Sequence, residues 1–137
     1  MKVFIDTSAF YALACKSDQY HLQAKSVLEQ LLQKNSELFT SNYVILETSA
    51  LILNRLGLGA LETFLEITRT AITVYWITLE VHEEGIRKLI HRAKKNLSLV
   101  DCTSFVIMKK EGIKSTFTFD PDFEKEGFDI VSNHSSN

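Results

Sequence analysis

Residues 2–10 read KVFIDTSAF, and they decide how the rest of the chain is read. Val3, Phe4 and Ile5 are apolar on both faces, as a strand must be at the centre of a parallel sheet covered by helices. The strand ends on Asp6, a carboxylate that resists burial without a partner. Its position asks what else in the chain comes to meet it.

Working outward, strand and helix signals alternate. TSAFYALA (7–14) reads as a short helix, and residues 19–34 as a helix with Leu22, Ala24, Val27, Leu28, Leu31 and Leu32 on one stripe. A strand is expected at 37–40. The helix expected at 42–56 is apolar nearly all round and therefore expected to be buried. Gly57 and Gly59 break it before a helix at 61–70. ITVYWI (72–77) is β-branched and aromatic, a strand signal, with Trp76 expected in a core or interface. Helices at 79–95 and 100–110, a strand at 115–119, a short helix from Pro121 to Gly127 and a strand at 129–131 complete the series. The pattern predicts an α/β fold, a three-layer α/β/α sandwich around a mainly parallel sheet. Residues 1–132 read as one domain and 133–137 as a polar C-terminal tail.

Composition narrows the class. The 137 residues are 45% apolar and 23% charged, enough for one domain with a proper core. A net charge of −2 excludes a generally basic nucleic-acid coat and leaves room for a local patch. Cys15 and Cys102 fit no metal-ligand spacing, and with no signal peptide or membrane span in view a reduced cytoplasm is the expected setting.

In open parallel sheets, ligands sit outside the carboxyl ends of the strands. Asp6 and Asp120 each follow a strand and so share that edge. Asp101 opens the helix DCTSFVIMKK, where the helix dipole favours a carboxylate whatever its function. Asp120 precedes Pro121 and has an equally ordinary reading as a helix cap; Asp122 could cap or share the site. Glu47 lies on a mostly apolar helix face, where it either sends its head to water or faces the cleft of Asp6. Clustered carboxylates repel and raise each other's pKa, and a hard divalent cation such as Mg²⁺ or Mn²⁺ removes the conflict. Such an ion can generate a hydroxide-like nucleophile and stabilise charge on a phosphodiester.

FIDTSAFYAL around Asp6, YVILETSALIL around Glu47, SLVDCTSFVIM around Asp101 and TFTFDPDF around Asp120 match, in order and spacing, the acidic motifs of a known family. The chain resembles the PIN-domain nucleases and, among them, the VapC-type toxins. The resemblance covers most of the chain. It implies an α/β/α sandwich and Mg²⁺- or Mn²⁺-dependent cleavage of single-stranded or structured RNA, with 5′-phosphate and 3′-hydroxyl products. Carried onto this chain, Asp6, Glu47, Asp101 and Asp120 form the acidic site. Asp6, Asp101 and Asp120 hold the metal, and Glu47 holds a second ion or helps activate water. Ser8 matches the family's polar residue after the first acid. A homodimer and a cognate antitoxin are implied partners.

GIRKLIHRAKK gathers Arg87, Lys88, His91, Arg92, Lys94 and Lys95 on one arc of a helix, either a solvated face or an RNA contact, and Arg55 lies near the same cleft. The histidines make no zinc or catalytic spacing: after His82-Glu83, Ile86 stands where a zinc-protease helix needs its second histidine. A dehalogenase-type phosphatase needs a second Asp where Ser8 stands, and a receiver domain needs two acids at its first strand. Two alternatives remain open: a stand-alone PIN ribonuclease in RNA processing, and a PIN module that binds RNA or a partner without cutting.

Overall fold

The computed structural model describes residues 1–133. Five parallel strands run in the order β3-β2-β1-β4-β5: β1 Lys2–Ile5, β2 Glu37–Ser41, β3 Thr73–Tyr75, β4 Ser115–Phe117 and β5 Asp129–Ile130. β1 is the central strand, with Phe4 opposite Phe39 of β2 and Thr116 of β4. Its Val3, Phe4 and Ile5 are at most 1% exposed, as their two-faced apolar pattern requires. Two buried threonines serve this strand: Thr40 donates to the Ile5 carbonyl and Thr116 to that of Phe4, both at 2.9 Å.

Two helix groups flank the sheet. α1 (Thr7–Ala14), α2 (His21–Gln33), α3 (Asn42–Leu56) and α4 (Leu58–Thr70) connect β1 to β2 and β2 to β3. α5 (Leu79–Arg92) and α6 (Leu99–Lys110) connect β3 to β4, and the single turn α7 (Asp122–Lys125) leads to β5. Phe105 of α6 packs edge-on against Phe123 of α7 at 4.8 Å, and both are fully buried, each worth about 1.5–3 kcal/mol of transfer energy. α5 and α6 approach closely at Gly85, where a Cβ would lie 2.6 Å from Cγ2 of Thr103.

The chain reverses its direction of travel through the sheet at β1, going to β2 and β3 on one side and later to β4 and β5 on the other. The crevice between the carboxyl ends of β1 and β4 is therefore the topological switch point, where such sheets bind ligands. Asp6 follows β1 there, and Thr118, Phe119 and Asp120 follow β4.

Several local expectations are corrected. α4 starts at Leu58 because Gly57 alone makes the break, with φ +93°, and Gly59 continues in helix. α5 ends at Arg92 because Ala93 turns left-handed (φ 53°), so Lys94 and Lys95 lie beyond it. α3 is not buried all round: Val44, Thr48 and Ile52 face inward, while Leu46 is 71% and Leu53 49% exposed. β3 stops at Tyr75 and leaves Trp76 74% exposed, so Trp76 is no core residue. Ser132 is buried in a 3₁₀ turn, Val131–Asn133, and donates to the Thr118 carbonyl. Of the expected tail 133–137, Asn133 ends this turn, and residues 134–137, with His134, lie outside the described residues. Among those described, no helix is long and apolar enough to cross a membrane.

Candidate active site

Asp6 leaves β1 in extended conformation (φ −95°, ψ 165°) and begins the turn into α1, so its carboxylate opens on the crevice while its backbone stays in the sheet. Its amide donates to the Phe117 carbonyl at 3.1 Å, and its own carbonyl accepts from Ala9 and Phe10. The residue is 4% exposed. Oδ2 accepts from Thr118 Oγ1 at 3.0 Å and from Ser8 Oγ at 3.3 Å. Ser8 and Thr118 meet each other at 3.0 Å. Ser8 also accepts from the Phe119 amide at 2.9 Å, and Thr118 from that of Asp120 at 3.0 Å. Two hydroxyls thus tie the carboxylate after β1 to the backbone after β4.

Asp101 occupies the third position of α6 in a reciprocal cap: its Oδ2 accepts from the Ser98 amide at 2.9 Å, and its own amide donates to Ser98 Oγ at 3.1 Å. The helix-terminus reading of Asp101 holds. It caps the helix, and it stands 9% exposed within the electrostatic reach of Asp6, Asp120 and Glu47. Burial pushes Asp6 up to about 7, with the Asp101 charge adding to it, against the lowering effect of the Thr7 amide and the Thr118 hydroxyl; Asp120 adds a smaller push upward. Burial likewise holds Asp101 above its ordinary value, opposed by its bonds to Ser98 and reinforced by Asp120 and Glu47.

Asp120 accepts on Oδ1 from the amide of Asp122 at 2.9 Å, but its expected cap reading is corrected: Pro121, not Asp120, is the N-cap of α7, so Asp120 stands one residue before it. Glu47 stands exposed on α3. Its neighbour Thr48 donates at 3.1 Å to Thr7, the neighbour of Asp6, and this buried contact fixes α3 against the first acid. Asp122 is 5% exposed and engaged by Lys94 at 2.8 Å and Lys125 at 3.8 Å. Its charge is already balanced, unlike that of the other four acids, which form no ion pair among the described residues.

The basic arc is divided. Lys88 and Arg92 both turn onto Glu126, at 3.0 and 2.8 Å, and hold its carboxyl down at about 2, with the Arg92 bond the larger cause. Arg87 and Lys95 stay exposed. Arg55 lies over the Tyr11 ring at 5.5 Å, on the α1–α3 side of the site. Sequence reasoning missed Thr118, whose only signal was a threonine two residues before an acid, and missed that Lys94 leaves the helix to sit beside Asp122 and Asp120.

The donor set is entirely oxygen, buried on two members, and none of its four acids is ion-paired among the described residues, with Lys94 the cation in electrostatic reach of Asp120. That is the chemistry of a site for a hard divalent cation. Among the described residues no group of three or more His, Cys, Asp or Glu side chains is placed to hold a metal ion by itself. An ion at this edge would rest on one or two of these carboxylates and take water for its other ligands, as Mg²⁺ commonly does.

The PIN domain family model matches residues 3–128, a span that contains every one of these acids. The chain belongs to the PIN-domain family. This PIN chain is 34% identical over 127 residues to the 23S rRNA-specific endonuclease VapC20 of Mycobacterium tuberculosis, in strains H37Rv and CDC 1551, covering 92% of this chain and 95% of VapC20. The crystal structure of Mycobacterium tuberculosis VapC20, described as a sarcin-ricin loop cleaving toxin, superposes with a TM-score of 0.82 at 33% identity, again over 92% and 95% of the two chains. The expected fold and enzyme class hold: the chain is a VapC-type PIN endoribonuclease, and PIN nucleases are typically metal-dependent.

Thr118→Val removes one donor to Asp6 and the acceptor of the Asp120 amide without changing the side chain's shape. It is expected to lower stability by about 1–3 kcal/mol and activity roughly tenfold, with Thr118→Ser close to wild type. Thermal unfolding and cleavage rates on the two variants check this; equal behaviour of valine and serine would remove the hydroxyl from the account.

Proposed function

We propose that this protein is a toxin of a type II toxin–antitoxin pair that cuts ribosomal RNA with Mg²⁺ or Mn²⁺, through one catalytic domain spanning residues 1–132. The observation that carries the reading is Asp6, a buried carboxylate without an ion pair, pushed up to about 7 at the switch point of the sheet beside Asp101. Asp6, Asp101 and Asp120 would hold the cation, directly or through water, and Glu47 would hold a second ion or orient the attacking water. A bound divalent cation supplies a water of lowered pKa and neutralises charge on the phosphodiester.

The chain's own residues set that chemistry up. Ser8 and Thr118 fix the Asp6 carboxylate toward the crevice. The Ser98 cap fixes Asp101 on the first turn of α6, and the Asp122 amide holds Oδ1 of Asp120, leaving its second oxygen for the site. Arg55, Arg87 and Lys95 are the cations open to RNA phosphates, whereas Lys88 and Arg92 reach RNA only by giving up Glu126. Ribosomal RNA as target is supported by the likeness to VapC20 along nearly the whole of both chains. A homodimer and a cognate antitoxin are in keeping with the exposed Leu46, Leu53, Trp76 and Leu79, apolar side chains open to a partner.

The test is incubation of the purified protein with bacterial ribosomal RNA and Mn²⁺, the ends then mapped by primer extension. One or a few discrete cuts leaving 5′-phosphate and 3′-hydroxyl ends are expected. Intact ribosomal RNA alongside discrete cutting of another RNA class would overturn the target, and RNA bound but never cut would favour a binding module.

A further inference from the structure

Tyr20 and Phe119 form a stacked pair at the rim of the acidic crevice, with ring centroids 4.4 Å apart and planes 5° from parallel. Phe119 is the residue before Asp120, and its amide is bonded to Ser8, the hydroxyl that itself bonds Asp6. A second ring, Phe117, meets its edge at 6.1 Å. Tyr20, by contrast, is 38% exposed, and among the described residues Phe119 is its only ring partner.

The loop carrying Tyr20 is fastened at both sides of that residue. The Tyr20 amide donates to the Asp18 carboxylate at 3.0 Å, and His21 is bonded through Nδ1 to the Ala12 carbonyl at 2.7 Å. The Tyr20 ring is thus held in place by its loop and by Phe119 while part of it stays open to solvent. It gains a use if a second flat surface is to be laid on it. Unpaired RNA bases are recognised largely by stacking on aromatic side chains, and a ring already ordered by its partner spends little entropy in receiving one.

We propose that Tyr20, backed by Phe119, is a stacking platform for an unpaired nucleobase close to the scissile phosphate. The proposal rests on the endoribonuclease reading above. It makes Tyr20 a substrate-binding residue and Phe119 the rigid link between the stacked base and the acids, so that base and phosphate are registered together.

The experiment uses a sarcin–ricin hairpin RNA with 2-aminopurine replacing each loop purine in turn, whose fluorescence is quenched on stacking. It is titrated with full-length Asp6→Asn protein, expected to hold RNA without cutting it, alone and combined with Tyr20→Phe, Tyr20→Leu or Tyr20→Ala. Quenching at one loop position is expected with Tyr20 and Tyr20→Phe and not with Leu or Ala, along with about 5- to 100-fold weaker binding for the latter two. In otherwise wild-type protein, the same substitutions should raise KM more than they lower kcat. Tyr20→Leu keeps Phe119 covered while removing the π face, so it separates stacking from packing. Undiminished quenching and affinity in Tyr20→Leu would overturn the platform and leave the nuclease reading standing. If no form binds the hairpin and the wild type cuts no RNA with Mn²⁺, the nuclease reading falls and the platform with it.

Discussion

Asp6→Asn is expected to abolish RNA cleavage while making the metal-free protein more stable above neutral pH. The two effects have one cause. Asp6 is buried, is held by the Ser8 and Thr118 hydroxyls and the Thr7 amide, and faces Asp101 and Asp120 without an ion pair of its own among the described residues. Asparagine keeps the shape and an acceptor for those hydroxyls, and removes the charge whose burial is costly. It also removes a ligand for the divalent ion, whose stabilisation of a phosphodiester transition state is worth several kcal/mol, so a rate loss on the order of 10³-fold or more is expected. A merely structural Asp6 would give the opposite pattern, with activity falling only as far as the fold is lost. Cleavage rates and melting temperatures of the two proteins, measured at pH 8 with and without metal, separate the cases.

In chelator, the stability of the wild-type protein should fall steadily as pH rises from about 4 to about 7. The sign follows from Asp6. Its carboxyl titrates near 7 in the folded chain and near 3.9 when unfolded. Between those values the folded state holds a proton that the unfolded state has released, so stability drops with rising pH. The contribution is fully present below the unfolded value and gone above the folded one, roughly 4 kcal/mol in all. Asp101, raised for the same reason, acts in the same direction. Glu126 acts in the opposite sense: held at about 2 by Arg92 and Lys88, it contributes stability that is lost as pH falls from its unfolded value through 2. The metal-free protein should therefore be most stable at about pH 4–5. Because a proton on Asp6 competes with a cation, Mn²⁺ should raise the melting temperature at pH 8 and barely at pH 5. Thermal melts across this range, on wild type and Asp6→Asn, check both statements. A wild-type profile identical to that of Asp6→Asn would remove Asp6 as the titrating group.

Much of this site can be read from the sequence because each acid ends or begins an element. A strand of Val, Phe and Ile fixes where Asp6 must emerge, FTF fixes Asp120, and the apolar helix 99–110 fixes Asp101 at its first turn. Parallel strands then bring these ends to one edge without any knowledge of side-chain geometry. What stays hidden depends on contacts between distant segments. Glu126 lies far along the chain from Lys88 and Arg92, so a basic arc looks open until the fold closes two of its members onto it. Thr118 reads as one more residue in a Thr–Phe alternation, and its bond to Asp6 appears only when β4 is set beside β1. The same holds for Tyr20 and Phe119, which meet from opposite ends of the chain. α3 shows a different limit. Its apolar residues fit a buried helix and a helix with an interface face equally well, and hydrophobicity alone cannot divide Val44 from Leu46.

Whether Asp6 and Asp101 build a metal site that cuts RNA is decided by cleavage of end-labelled bacterial ribosomal RNA. Wild type and Asp6→Asn are compared in Mg²⁺, in Mn²⁺ and in chelator. Discrete cutting by the wild type is expected with either metal, none in chelator, and none by Asp6→Asn under any condition. Cutting at the same positions that survives both chelator and Asp6→Asn would contradict such a site.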